Sequence, residues 1–142
     1  GRHPDVQRAV AEVVHLVEGE ACVDALDGVG CIATTFPNGA QNVEKADWSP
    51  LAGRWVVQWP DNDGPGFEAM DKAWCILRGL GARVVVLDVE AMGLPPKGDA
   101  VDWLRLFEER HGARHLHEVP NCHALAWAEI DALPVKEWKV AA

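Results

Sequence analysis

The sequence predicts an α/β fold: a mostly parallel central sheet of about four strands with helices on both faces. Three observations predict it. Short apolar runs alternate along the chain with segments of helical period, the pattern of βαβ units. Gly- and Pro-bearing turn clusters separate them. Of the 142 residues, 49% are hydrophobic and 25% charged, the balance of one globular domain.

Val6, Ala9, Val10 and Val13 fall at i, i+3, i+4 and i+7 and predict an opening helix, with Pro4 near its first turn. Val13 to Val17 (VVHLV) is a buried strand, broken by Glu18-Gly19-Glu20. Cys22, Ala25, Leu26 and Val29 repeat the helical spacing. Cys31 to Thr35 is the second strand, ending in the turn cluster Phe36-Pro37-Asn38-Gly39. Ala40 to Gly53 is polar, a loop with a short helix. Arg54 to Trp59 is the third strand, and Pro60 to Gly66 a loop. The next helix has Phe67, Met70, Trp74 and Leu77 on one face and ends near Gly79 and Gly81. Arg83 to Val89 is the fourth strand, and a helix runs from about Asp99 to Arg110. Beyond Gly112 the pattern weakens; a short strand near His115 to Val119 and a final helical turn are expected. The whole chain, 1–142, reads as one domain. Its motif-bearing core spans about 13–112, with the first helix and the C-terminal extension packed on it.

Composition excludes several functions. Thirteen Lys and Arg against 22 Asp and Glu leave a formal charge of −9, so nucleic acid is not held by charge alone. No apolar run is long enough to span a bilayer, so no membrane partner is expected. With no Tyr in the sequence, the chain supplies no tyrosine nucleophile. No G-x-x-x-x-G-K-[ST] occurs, so an ATPase site is excluded. Cys22, Cys31, Cys75 and Cys122 have no metal or redox spacing. The first three lie among apolar residues, and all four read as free thiols of a reducing cytoplasm. Trp55 and Trp59 alternate along the third strand, and Trp74 and Trp103 lie on apolar helix faces; these read as core. Trp48, in the polar loop, is the candidate for stacking on a base.

Parallel strands share a carboxyl edge, where open α/β sheets bind ligands. The first strand delivers Glu18 there, the third delivers Asp61 and Asp63, and the fourth leads to Asp99 and Asp102. Lys97 is the one adjacent cation. Unpaired carboxylates are costly to crowd together. A hard divalent cation, Mg²⁺ above all, relieves that cost. Helix capping is the plain alternative for Asp63, Asp99 and Asp102. It fits Glu18 and Asp61 poorly.

V-E-G-E with A-C-V-D-A-L (Val17 to Leu26), P-D-N-D-x-x-G (Pro60 to Gly66) and K-G-D-A-V-D-W-L (Lys97 to Leu104) together resemble the Toprim domain. The likeness is closest to Toprim domains of DNA primases and of primase–helicase proteins of phages, plasmids and integrated elements. The loop Thr34 to Gly39 and the W-S-P-L-A-G-R lead-in (Trp48 to Arg54) fit the same branch. The resemblance covers about Val13 to Leu104. It implies a Toprim-like (Rossmann-like) sheet and a Mg²⁺ (or Mn²⁺) site for phosphodiester chemistry. Glu18 is then the general acid/base or a ligand, Asp61 and Asp63 are catalytic metal ligands, and Asp99 and Asp102 complete the set. Lys97 and Gly39 are the implied phosphate contacts. Bacterial primases carry an Asp four residues after the first Glu; here Cys22 stands there, and Asp24 reads as a helix-surface residue.

The function implied is primer synthesis on a single-stranded DNA template by metal-dependent nucleotidyl transfer from nucleotides. Template-binding or helicase domains of the same protein would be partners, the chain being read as a domain of a larger protein. A Toprim nuclease, with water as nucleophile, and a non-catalytic DNA- or metal-binding module are the alternatives.

Overall fold

The computed structural model describes residues 13–36, 40–112 and 122–136. The opening helix expected around Val6, the turn with Gly39 and the strand expected near His115 lie outside them. The elements are β1 (Val14–Leu16), α1 (Glu20–Asp27), β2 (Ile32–Thr34), two 3-10 turns (Ala40–Lys45 and Ser49–Leu51), β3 (Trp55–Gln58), α2 (Gly64–Gly79), β4 (Arg83–Leu87), α3 (Ala100–Arg110), α4 (Cys122–Asp131) and β5 (Val135–Lys136). They form an α/β fold around one five-stranded sheet of order β2-β1-β3-β4-β5. Val14 lies opposite Ile32 on one side and Val56 on the other, and Trp55 to Gln58 pair with Arg83 to Val86, all in parallel.

Side-chain alternation splits the core between two faces. Val14 and Leu16 of β1 and Val56 of β3 pack with Met70, Ala73 and Leu77 of α2, with Val43 of the first 3-10 turn and with Trp48 just before the second. On the other face Val17, Trp59 and Leu87 pack with Leu26 of α1, Trp103 and Phe107 of α3, and Ala126 and Ile130 of α4. Helices cover both faces, as the sequence predicts. Among the described residues no helix is long and apolar enough to cross a membrane.

Several expectations need correction. The sheet has a fifth strand, β5, antiparallel to β4, with Leu87 opposite Val135. Two exposed residues carry no periodic signal, so it was not foreseen. The final helical turn is a full helix, α4. Its sequence CHALAWAEID buries Ala126 and Ile130, a stripe too thin to read against the alanines around it. The buried face of α2 runs through Gly66, Ala69, Met70, Ala73 and Leu77; Phe67 and Trp74 are only half-buried. Small residues let α2 lie close to the sheet. Cys75 falls on its far side and is exposed, not a core residue; all four thiols are free.

The tryptophans also sort differently. Trp48 is buried, its ring 5.7 Å from Phe36 and its Nε1–H donating to the Val43 carbonyl at 2.7 Å. A polar loop sequence hid a core anchor, and no face of Trp48 is open to a base. Trp55 instead is 39% exposed.

Candidate functional site

The chain leaves β1 toward β2 on one side and returns to β3 on the other, so the β1/β3 boundary is the switch point of the sheet. Ligands of doubly wound folds bind in the crevice beyond the carboxyl ends of such strands. Glu18 follows β1 there and Asp61 follows β3. The backbone N–H of Asp61 donates to Glu18 Oε2 at 3.1 Å. No hydrogen bond or ion pair among the described residues reaches the Asp61 carboxylate itself.

Asn62 ties this loop to the segment before α3. Its N–H donates to the Gly98 carbonyl at 2.9 Å, and its carbonyl accepts from the Lys97 N–H at 2.8 Å. Its side-chain Nδ2 donates to the Leu94 and Pro95 carbonyls, each at 3.2 Å. Lys97 takes a left-handed φ of 63°, a conformation costly outside glycine and held here by the bond to Asn62. Its side chain is exposed. Gly66 admits the tight β3–α2 turn: a Cβ there would lie 2.6 Å from the Asp61 carbonyl oxygen.

The remaining acids cap helices. Asp63 Oδ1 accepts from the Gly66 N–H at 2.6 Å, capping α2. Asp99 and Asp102 form a reciprocal capping box on α3, Asp99 Oδ1 accepting at 3.2 Å and Asp102 Oδ2 at 2.9 Å. Asp102 Oδ1 also pairs with Arg105. Lys97 is thus not the one cation near the acids; Arg105, at the i+3 position of the helix, was legible as an ion-pair partner and was missed. Asp63 and Asp99 each keep one oxygen outside their caps, whereas both oxygens of Asp102 are engaged. Asp24 is exposed on α1.

Electrostatics places all five acids in one neighbourhood. Burial pushes the Asp61 carboxyl up to about 7, and the charges of Glu18, Asp99, Asp63 and Asp102 add to the rise. Burial also raises Glu18; the Asp61 N–H opposes this and Asp63 reinforces it. Burial pushes the Cys22 thiol up to about 12, with Asp99 and Asp61 adding to it, so the thiol at that position is inert at neutral pH.

The donor set is hard oxygen, which suits Mg²⁺ or Mn²⁺. Among the described residues no three His, Cys, Asp or Glu side chains close around one point. Mg²⁺ is commonly held by only one or two carboxylates, with water and substrate phosphates completing its shell. Glu18 and Asp61 form such a pair; burial first, and neighbouring carboxylates second, disfavour their charged forms, a cost that a cation would relieve.

Comparison of the chain with protein-family models, curated proteins and solved structures finds no match. Asn62 is the residue that sequence reasoning passed over most consequentially. Its signal was its place between two aspartates in a Pro-Asp-Asn-Asp-Gly turn, where Asn commonly bonds nearby backbone.

Proposed function

We propose that this chain is a Toprim-like catalytic domain for phosphodiester chemistry, and specifically a metal-dependent nucleotidyltransferase of the primase type. The observation that carries the reading is the Glu18–Asp61 pair at the switch point. The Asp61 backbone N–H donates to the Glu18 carboxylate, tying together two acids that follow different strands, and the Asp61 carboxyl is raised to about 7 by burial first and by the charge of its acidic neighbours second. Glu18 and Asp61 would hold Mg²⁺ or Mn²⁺; Asp63 and Asp99, each with one oxygen in a helix cap, would join them only through a shift of the loops, and Asp102 only by releasing Arg105. Such an ion supplies neutralisation of phosphate charge and a more acidic attacking hydroxyl. Glu18, half-buried and raised, is suited to take the proton of that hydroxyl. The Asn62 links hold the two acidic loops at a fixed spacing. Lys97, exposed beside them, is placed to meet a substrate phosphate.

A non-catalytic Toprim-like module is the second reading, favoured by the capping duties of Asp63, Asp99 and Asp102. The test supplies nucleoside triphosphates, Mg²⁺ or Mn²⁺ and a single-stranded template to the protein with its neighbouring domains. New oligonucleotides support primer synthesis. Loss of template instead identifies a nuclease, and the absence of both favours the non-catalytic module. Glu18→Gln and Asp61→Asn should each lower turnover by a factor of about 10² or more, while Asp24→Asn leaves it near wild type.

A further inference from the structure

The chain carries a formal charge of −9, yet Trp48–Pro60 and Lys72–Leu87 contain no Asp or Glu. The fold brings these two segments side by side as β3 and β4. Their amino ends form the sheet edge opposite the carboxylate rim. The backbones of Arg54, Arg78 and Arg83 lie along that edge, Arg83 beside Trp55 on β3 and β4 and Arg78 at the end of α2. The Arg83 N–H donates to the Arg54 carbonyl at 2.9 Å. The turn joining α2 to β4 is tight, with the Gly81 N–H on the Arg78 carbonyl at 3.1 Å and the Ala82 N–H on the Leu77 carbonyl at 3.0 Å. All three arginines are exposed. Salt bridges among the described residues use Lys72, Arg105, Arg110 and His111 and none of these three.

That omission decides how the edge is read. In a chain with 22 acids to 13 basic residues, an arginine readily meets a carboxylate; three along one edge that meet none among the described residues leave that edge cationic. Two of them lie over indole rings: Arg83 Cζ is 4.9 Å from the Trp55 ring centre and Arg78 Cζ 5.4 Å from that of Trp74. Trp55 and Leu80 are 39% and 38% exposed on the same edge. Guanidinium edges bind phosphate, while guanidinium and indole faces stack on bases. An acidic peptide would answer the charge but not the exposed aromatic surface.

We propose that this edge, built on Arg54, Arg78, Arg83, Trp55 and Trp74, binds single-stranded nucleic acid. The surface is separate from the carboxylate site, and its occupancy needs no metal and no catalysis.

The test is fluorescence anisotropy of labelled oligothymidylate and oligouridylate with the whole chain, in chelator. With three phosphates neutralised, affinity should fall about twentyfold between about 50 and 200 mM salt. Arg54→Gln/Arg78→Gln/Arg83→Gln should weaken binding about tenfold or more, and Trp55→Leu about fivefold or more. Asp24→Asn, exposed on α1 and outside the carboxylate pair, should bind as wild type does. Equal tightness for the two oligonucleotides assigns single strands generally, and a preference names the sugar. Two results overturn the proposal: wild-type binding by the triple variant, or competition by polyglutamate as strong as by oligothymidylate, which would assign the edge to an acidic protein. If the triple variant melts early, the single Arg54→Gln and Arg78→Gln variants decide the question.

Discussion

Glu18 Oε2 accepts the backbone N–H of Asp61 across the boundary between β1 and β3. The bond lies between residues far apart in the chain, at the one point where the sheet order reverses. It sets one oxygen of Glu18 in place and leaves the other, with both of Asp61, for a ligand.

A divalent cation should stabilise the fold. A ligand that binds only the folded state adds RT ln(1 + [L]/Kd), roughly 2.7 kcal/mol at a hundredfold excess. Thermal melts in millimolar Mg²⁺ or Mn²⁺ should therefore exceed those in chelator at equal ionic strength. Asp61→Asn should melt at or above wild type in chelator, one like charge being gone, and should lose most of the divalent response. Equal destabilisation of Asp61→Asn with and without the ion would make the carboxylate structural.

Acid stability should expose two opposed groups. The Asp61 carboxyl rises from 3.8 to about 7 on folding, so its contribution is fully present below pH 3.8 and is lost as pH rises toward 7. His15 is buried in β1 and accepts from Trp59 Nε1–H at 2.9 Å; burial lowers it from 6.5 to about 4. Its contribution is present above pH 6.5 and is lost as pH falls toward 4. The two slopes oppose each other over that window. Asp61→Asn removes one and should make the protein lose stability toward acid more steeply than wild type, by up to about 1.4 kcal/mol per pH unit. His15→Gln should shift the profile the other way. Urea titrations across the range measure both; superimposable profiles for wild type and Asp61→Asn would sink the assignment.

The caps should behave as caps. Asp63→Ala and Asp99→Ala should each cost about 0.5–2 kcal/mol in chelator, because each leaves a helix N–H without its acceptor. Asp99→Ala also breaks the reciprocal box with Asp102. The same denaturant titrations in Mg²⁺ should show this cost plus a reduced response to the ion if the outward oxygen ligates. An unchanged midpoint in chelator would count against the capping geometry.

Asn62→Ala should remove two hydrogen bonds to the Leu94 and Pro95 carbonyls and cost about 1–3 kcal/mol. Its sharper signature is local. Hydrogen exchange at the Lys97 amide, which donates to the Asn62 carbonyl, should accelerate relative to the amides of β3. A uniform change across the chain would mean that Asn62 contributes only to global stability.

Much of the architecture was legible. VVHLV and RVVVLDV stand out as buried strands because parallel sheets covered on both faces need unbroken apolar runs. The candidate acids were legible because strand ends in such a sheet share an edge. What escaped lay where no periodicity exists. β5 is two exposed residues defined by its partner β4, and α4 is set by tertiary contact more than by an apolar stripe. Trp48 escaped because its neighbours are polar, and only the fold brings Phe36 beneath it. Asn62 was visible as a type, but its partners were set by geometry across loops, whereas Arg105 stands one helical turn from Asp102 and its pairing followed from spacing alone.

The antiparallel β5 has a consequence for synthesis. Every strand of the parallel sheet, and every acid of the rim, is translated before α4 and β5. Until Val135 and Lys136 emerge to pair with Leu87 and Val86, the outer edge of β4 stands open on a nascent chain. Its RVVVL sequence has the β-branched, uncharged interior that invites pairing with other chains. β5 thus acts as a late seal, and ribosome-bound chains halted before it should be the species that recruits chaperones.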